Sequence, residues 1–134
     1  MVASMSVAPS TVTLIDDDPS VRRALGRVME SAGLPYQVFA SAEDCLSGIP
    51  VEEIGCVVAD MTMMGMNGLE FKRRLNLSRP DIPFIILTAH DTEEMRVSAR
   101  KAGAAAFFLK PVDIEALLDA IQWTMGASKL EQPA

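Results

Sequence analysis

The sequence predicts an α/β domain: a parallel sheet of five strands with helices on both faces. Three observations carry that expectation. Five short β-prone runs alternate with five segments of helical period, the pattern of βαβ crossovers. Two of the runs, CVVAD and FIILT, are apolar almost throughout, as strands are when helices cover both faces. Several helical segments open on a capping residue and close at glycine or before proline, so their ends are marked locally.

Residues 1–10 are small, polar and unpatterned, and are expected to form a loose tail. Residues 12–15 are a short β-prone run that stops at three aspartates. Val21, Leu25, Val28 and Ala32 then recur at helical spacing, with Gly33 as the stop. YQVFA reads as the second strand, and Ser41 as the N-cap of a helix over 42–48 with Glu43 and Asp44 in its first turn. CVVAD is the third strand, and residues 69–77 are helical, ended by SRPD and Pro83. FIILT is the fourth strand. Residues 92–102 form a charged helix closing at Gly103, and AFFL is a fifth strand before Lys110-Pro111. Ile114, Leu117, Leu118 and Ile121 mark the last amphipathic helix.

A chain of 134 residues is long enough for one domain with a core of its own; that domain is expected over 11–125, with 126–134 a C-terminal tail or the start of a linker. The net charge of −6 argues against non-specific binding of nucleic acid or anionic membrane by the domain as a whole. Cys45 and Cys56 have no CxxC pattern and no nearby histidine, so they read as buried reduced thiols. No apolar run approaches the ~18 residues of a membrane span and no signal peptide is evident. The expected location is the cytoplasm.

In a sheet of this class ligands gather beyond the carboxyl ends of the strands. The residues there are Asp16 and Asp17, Asp60, Thr88 and Lys110. Carboxylates converging on one cleft raise one another's pKa unless a cation neutralises them. Mg²⁺ suits such a set, being a hard ion that takes about six oxygens and keeps several waters. Lys110 would add a point charge, Thr88 a hydroxyl, and a carboxylate can itself attack phosphorus.

With those residues in place, the chain resembles the receiver domains of two-component response regulators, over 11–125. LIDDDPSVRRAL, VVADMTMMGMNGLEF, ILTAHD and FFLKP carry the resemblance, in the family's order and spacing. It implies a flavodoxin-like, doubly wound (βα)5 fold with strand order 2-1-3-4-5. It also implies Asp60 as phosphoacceptor, Asp17 with Asp60 and the Thr62 backbone carbonyl as Mg²⁺ ligands, and Asp16 holding the ion through water. Lys110 would pair with the phosphoryl oxygens, its bond to Pro111 cis as is typical of the family. Thr88 would be the switch hydroxyl, Phe107 the aromatic that follows it, and Thr62 and His90 the positions that tune hydrolysis. Asp18 falls outside the acidic pair and reads as the N-cap of the first helix, with Pro19 at its first position.

The resemblance implies a sensor histidine kinase or a histidine phosphotransfer protein as phosphodonor. It also implies a surface of the fourth helix, fifth strand and fifth helix that changes on phosphorylation and controls a partner or output domain, with self-phosphorylation and autodephosphorylation as the only catalysis. Motifs such as FASAEDCL and KAGAAAFFLKPVD look most like receivers of regulators with a helix-turn-helix output. A phosphorylation-dependent homodimer would fit that class, and a stand-alone receiver and a fragment of a longer regulator both remain open. The chain departs from the family at Met64, where proline is usual, and at Asn67, where aspartate is frequent; without the proline the loop after Asp60 loses a fixed φ and should be more mobile. The methionines at 61, 63, 64 and 66 are either a soft contact surface or ordinary packing. Two other readings are a Mg²⁺-dependent phosphohydrolase with an aspartate nucleophile, and a degenerate receiver that takes no phosphate. The first lacks the second aspartate two residues after the nucleophile; the second conflicts with a full set of pocket residues.

Overall fold

The computed structural model describes residues 11–63, 65–90 and 92–130. The expected N-terminal tail, Met64 and residues 131–134 lie outside them. The elements run β1 (Thr11–Ile15), α1 (Pro19–Ser31), β2 (Tyr36–Phe39), α2 (Ala42–Gly48), a single 3₁₀ turn (Val51–Glu53), β3 (Ile54–Asp60), α3 (Gly68–Leu75), β4 (Phe84–Thr88), α4 (Glu93–Ala102), β5 (Ala106–Leu109) and α5 (Ile114–Leu130). All strand pairs are parallel, and the sheet order is β2-β1-β3-β4-β5. This is the expected doubly wound, flavodoxin-like arrangement.

Strand alternation divides the interior into two cores, one on each face of the sheet. Val57, Ala59, Phe84 and Ile86 pack with Ala42 and Cys45 of α2, Phe71 and Leu75 of α3 and Ala99 of α4. Val12, Leu14, Cys56, Val58, Ile85 and Leu87 pack with Leu25 and Met29 of α1 and Leu117 and Ile121 of α5. Every residue of β3 is buried, which explains a run with no polar alternation. The register between β1 and β3 shifts at Thr11/Val12, whose partners are Ile54 and Cys56. That irregularity lets Ile54 pack on the opposite face from Cys56 and Val58, and β3 starts two residues before the expected CVVAD.

Local chemistry sets the helix ends. The Asp18 side chain accepts from Ser20 N–H at 2.8 Å and Pro19 opens α1, as read from the sequence. Ser41 caps α2 and Thr92 caps α4. Asn67 and Glu70 form a reciprocal capping box on α3. α3 ends at Leu75 rather than 77: the chain tightens into turns with Leu77 N–H on Arg74 O and Ser78 N–H on Leu75 O, leaving Leu77 83% exposed. α5 runs to Leu130, past the expected boundary at 125. Gly126 does not stop it, since an interior glycine costs only about 1 kcal/mol against alanine. Among the described residues no helix is long and apolar enough to cross a membrane.

Candidate functional site

The parallel sheet brings its carboxyl ends to one edge, and the acidic residues meet there. Asp16 follows β1 and is 2% exposed; Asp60 closes β3 and is 7% exposed. Asp17 beside them is exposed. Ligand atoms of Asp16, Asp17 and Asp60 lie within 4.8 Å of one another, a group able to hold a metal ion. From the end of β5, Lys110 Nζ donates to Asp16 Oδ2 at 2.8 Å and Asp60 Oδ2 at 3.1 Å. The peptide bond from Lys110 to Pro111 is cis.

The other carboxylate oxygens of Asp16 and Asp60 are also engaged. Asp18 N–H donates to Asp16 Oδ1 at 2.9 Å, and Thr62 N–H to Asp60 Oδ1 at 3.1 Å. Burial pushes the Asp60 pKa up, with the Asp16 charge adding to it; the Thr62 N–H and Lys110 pull against that and do not prevail. Burial works to lower the Lys110 pKa, yet its bonds to Asp16 and then Asp60 leave it raised. The pocket therefore concentrates negative charge on poorly solvated groups, with one ammonium bridging two of the carboxylates.

Thr88 is fully buried at the end of β4, with its hydroxyl turned into its own loop. It donates to His90 O at 3.2 Å and accepts from His90 N–H at 3.0 Å. The His90 side chain is exposed, in line with a loop residue. Phe107 on β5 packs against the face shared by α3 and α4, and the Arg96 guanidinium lies over its ring at 5.1 Å. Asp16, Asp17, Asp60 and Lys110 are thus brought together, while Thr88 and Phe107 stand beside the cluster without a bond to it in this conformation. Met61 and Met63 are buried in the core and Met66 packs against it, so packing rather than an exposed contact surface accounts for those three. Cys45 and Cys56 are free and buried, and burial pushes both thiols up to about 12.

Sequence reasoning passed over two neighbours of the site. Arg22 Nη1 donates to the Asp16 carbonyl at 2.7 Å, and Glu43 Oε2 accepts from Met66 N–H at 3.0 Å in the loop after Asp60. Arg22 stands four residues after the cap Asp18, where a helix presents a side chain back toward its own start. That signal was available in the VRR run. Glu43 and Met66 are 23 residues apart, and nothing local announces their contact.

Comparisons with known proteins agree with this geometry. The sequence model of the response regulator receiver domain matches residues 12–122. The C4-dicarboxylate transport transcriptional regulatory protein DctD of Rhizobium meliloti (strain 1021) is 40% identical over 85% of this chain and 25% of its own length. The transcriptional regulatory protein FixJ of Azorhizobium caulinodans is 38% identical over 87% of this chain and 56% of its own. The solved structure of the response regulator StyR superposes with a TM-score of 0.82 at 40% identity, over 92% of this chain and 62% of that one. The chain thus spans about a quarter of DctD and just over half of FixJ.

Proposed function

The chain belongs to the response regulator receiver domains, and from that premise we propose that Asp60 accepts a phosphoryl group from a sensor histidine kinase or a histidine phosphotransfer protein. The observation that carries this reading is the Lys110 ammonium bonded to both Asp16 and Asp60, with Asp17 completing three convergent carboxylates. The functional unit runs from β1 through α5, past the expected end at 125, and its location is the cytoplasm.

The donor set fits Mg²⁺: hard carboxylate oxygens, two of them on buried residues, in a pocket with excess negative charge. Asp17 and Asp60, with the Thr62 backbone carbonyl, would hold it directly. Asp16, whose oxygens accept from Asp18 N–H and Lys110 Nζ, would act through water, as the family resemblance implies. When bound, the ion neutralises charge on the transferring phosphoryl oxygens.

The Asp60 carboxylate attacks phosphorus in line; a P–O bond forms, the P–N bond to the donor imidazole breaks, and its electron pair leaves with the imidazole. Lys110 is already placed to follow the charge onto the phosphoryl oxygens. Thr88 exchanges its bonds to the His90 main chain for one to the phosphoryl group, and Phe107 moves into the space so opened. The α4-β5-α5 surface then differs between the two states and controls a partner or output domain. Thr62 and His90 flank the approach of hydrolytic water and tune the lifetime of the phosphate. The chain is a switch that catalyses only its own phosphorylation and dephosphorylation. A phosphorylation-dependent homodimer would fit this switch, and the domain itself is not expected to bind nucleic acid or membrane.

Intact-protein mass after incubation with acetyl phosphate, with and without Mg²⁺, tests the reading. A Mg²⁺-dependent gain of one phosphoryl group, lost in Asp60→Asn, is expected. A folded chain that gains nothing under any condition would refute it and leave a phosphate-independent receiver.

A further inference from the structure

The loop joining Asp60 to α3 carries Thr62, and the proline usual in this family is missing from it. The structure shows what holds the loop instead. At its start, Thr62 N–H bonds to Asp60 Oδ1 at 3.1 Å. At its end, Asn67 N–H bonds to Glu70 Oε1 at 2.9 Å and Gly68 N–H to Met61 O at 3.2 Å. The segment between is met from another element, α2. Glu43, in the first turn of α2, accepts from Met66 N–H at 3.0 Å.

Gly65 supports the same contact independently. Its φ is +78°, a conformation that disfavours other residues. A Cβ there would stand 2.9 Å from Glu43 Oε2 and 3.3 Å from Oε1. Both carboxylate oxygens therefore lie against the bare Gly65 backbone, and a side chain at 65 would push them away. A hydrogen bond to a carboxylate is among the stronger kinds. Glu43 also sits where the α2 N-terminus favours negative charge.

We propose that Glu43 is a positioning residue for the phosphorylation site, a strut from α2 that holds the loop after Asp60 at Gly65 and Met66 and so the placement of Thr62 beside Asp60. What the loop presents rests on the receiver reading above; the strut itself rests on geometry alone. Glu43 touches no reacting atom and acts through the Met66 N–H.

The test compares wild type, Glu43→Ala and Glu43→Gln, with Gly65→Ala approaching the same contact from the loop side. Amide hydrogen exchange of Met66 is read first, in metal-free protein. Glu43→Ala and Gly65→Ala are expected to speed it about tenfold, while the Gln amide oxygen still accepts and keeps it near wild type. Mg²⁺ titration is read second. Losing a group bonded directly to a metal ligand costs about 10–100-fold in affinity; Glu43 stands one step further out, so a loss below about tenfold is expected for Glu43→Ala, with Glu43→Gln near wild type. Because Glu43 is exposed, its removal opens no core. Unchanged exchange in Glu43→Ala overturns the strut. Faster exchange with unchanged Mg²⁺ affinity overturns its positioning role. A wild type that binds no Mg²⁺ overturns the phosphoacceptor reading instead, and the exchange experiment then decides the strut on its own.

Discussion

Gly68 opens α3 directly behind the phosphoacceptor, and replacing it by alanine tests how closely that helix supports Asp60. A Cβ at Gly68 would lie 2.6 Å from the Asp60 carbonyl oxygen and 3.2 Å from both Asp60 C and Met61 Cα. Ordinary contact at such a Cβ begins near 3.4 Å, so the backbones must separate by about 0.8 Å. All three atoms are main chain and none can rotate away. Overpacking of this kind costs about 1–3 kcal/mol. The displacement also falls on the residue whose carboxylate must meet phosphorus, where a misplacement of about 1 Å can cost about a hundredfold in rate.

Gly26→Ala is the matched control. There the added methyl meets Tyr36 Cε2 at 3.1 Å and its hydroxyl at 3.3 Å, the far end of a side chain that can give. Gly26 lies inside α1, where alanine gains about 1 kcal/mol of helix propensity. Urea midpoints at constant m, with acetyl phosphate phosphorylation rates, form the assay. Gly68→Ala is expected to lose about 1–3 kcal/mol and at least tenfold in rate, and Gly26→Ala to stay within about 1 kcal/mol of wild type at full rate. Equal behaviour of the two variants would refute the claim that α3 abuts the Asp60 main chain.

Three further outcomes follow from charge and burial. Asp60→Asn should stabilise the metal-free chain at pH 7, because burial raises the Asp60 pKa above its usual value: between the unfolded and the folded pKa the native state holds more protons, so wild type loses stability as pH rises. Urea midpoints of the two should converge at pH 3, and a gap that persists there argues against this account. Lys72 is 2% exposed and donates to Asn76 Oδ1 at 2.6 Å and Pro80 O at 3.3 Å. Asn76→Ala strips a buried ammonium of its shorter bond and should cost about 1–3 kcal/mol, whereas Lys72→Met removes the buried charge itself and should cost less; the reverse order of thermal midpoints would refute this. With both thiols pushed up to about 12, Cys45 and Cys56 should resist Ellman's reagent at pH 8 in the folded chain and react fully in guanidinium.

The sheet was legible because its evidence is local. Apolar runs of strand length, caps at Asp18 and Ser41, and glycine at 103 each act within a few residues of themselves. The misses of two residues at the start of β3 and the end of α3 arose where hydrogen bonds outside the side-chain pattern decided, and α5 outran its expected end at 125 by five. Ile54 joins β3 because Thr11 pairs with it, and α3 stops at Leu75 as the chain turns toward Pro80. At the site, Asp16, Asp17, Asp60 and Lys110 could be grouped from sequence, since topology places every strand end on one edge. The orientation of Thr88 toward His90 is a conformational choice between two sets of partners, which residue identity leaves open. The contacts of Glu43 with Met66 and of Arg96 with Phe107 join separate elements by side-chain reach, which periodicity does not encode.

The division of the interior into two cores has a mechanical consequence. Ile86, Phe107 and the methionines 61, 63, 66 and 95 belong to the face shared with α3 and α4, beside Thr88 and the loop after Asp60. The opposite face, under α1 and α5, is filled mainly by Val12, Leu14, Leu25, Val58, Ile85, Leu87, Leu117 and Ile121, with Met29 its buried methionine. Unbranched thioether chains repack at small energetic cost, whereas branched aliphatics hold a few rotamers. The face under α3 and α4 also holds Ile15, Ile49, Ile54, Val57 and Ile82, so its pliable side chains are confined to the part nearest the loop after Asp60 and the start of α4. A displacement that starts at Thr88 and the loop after Asp60 therefore meets those methionines first on its way to α4.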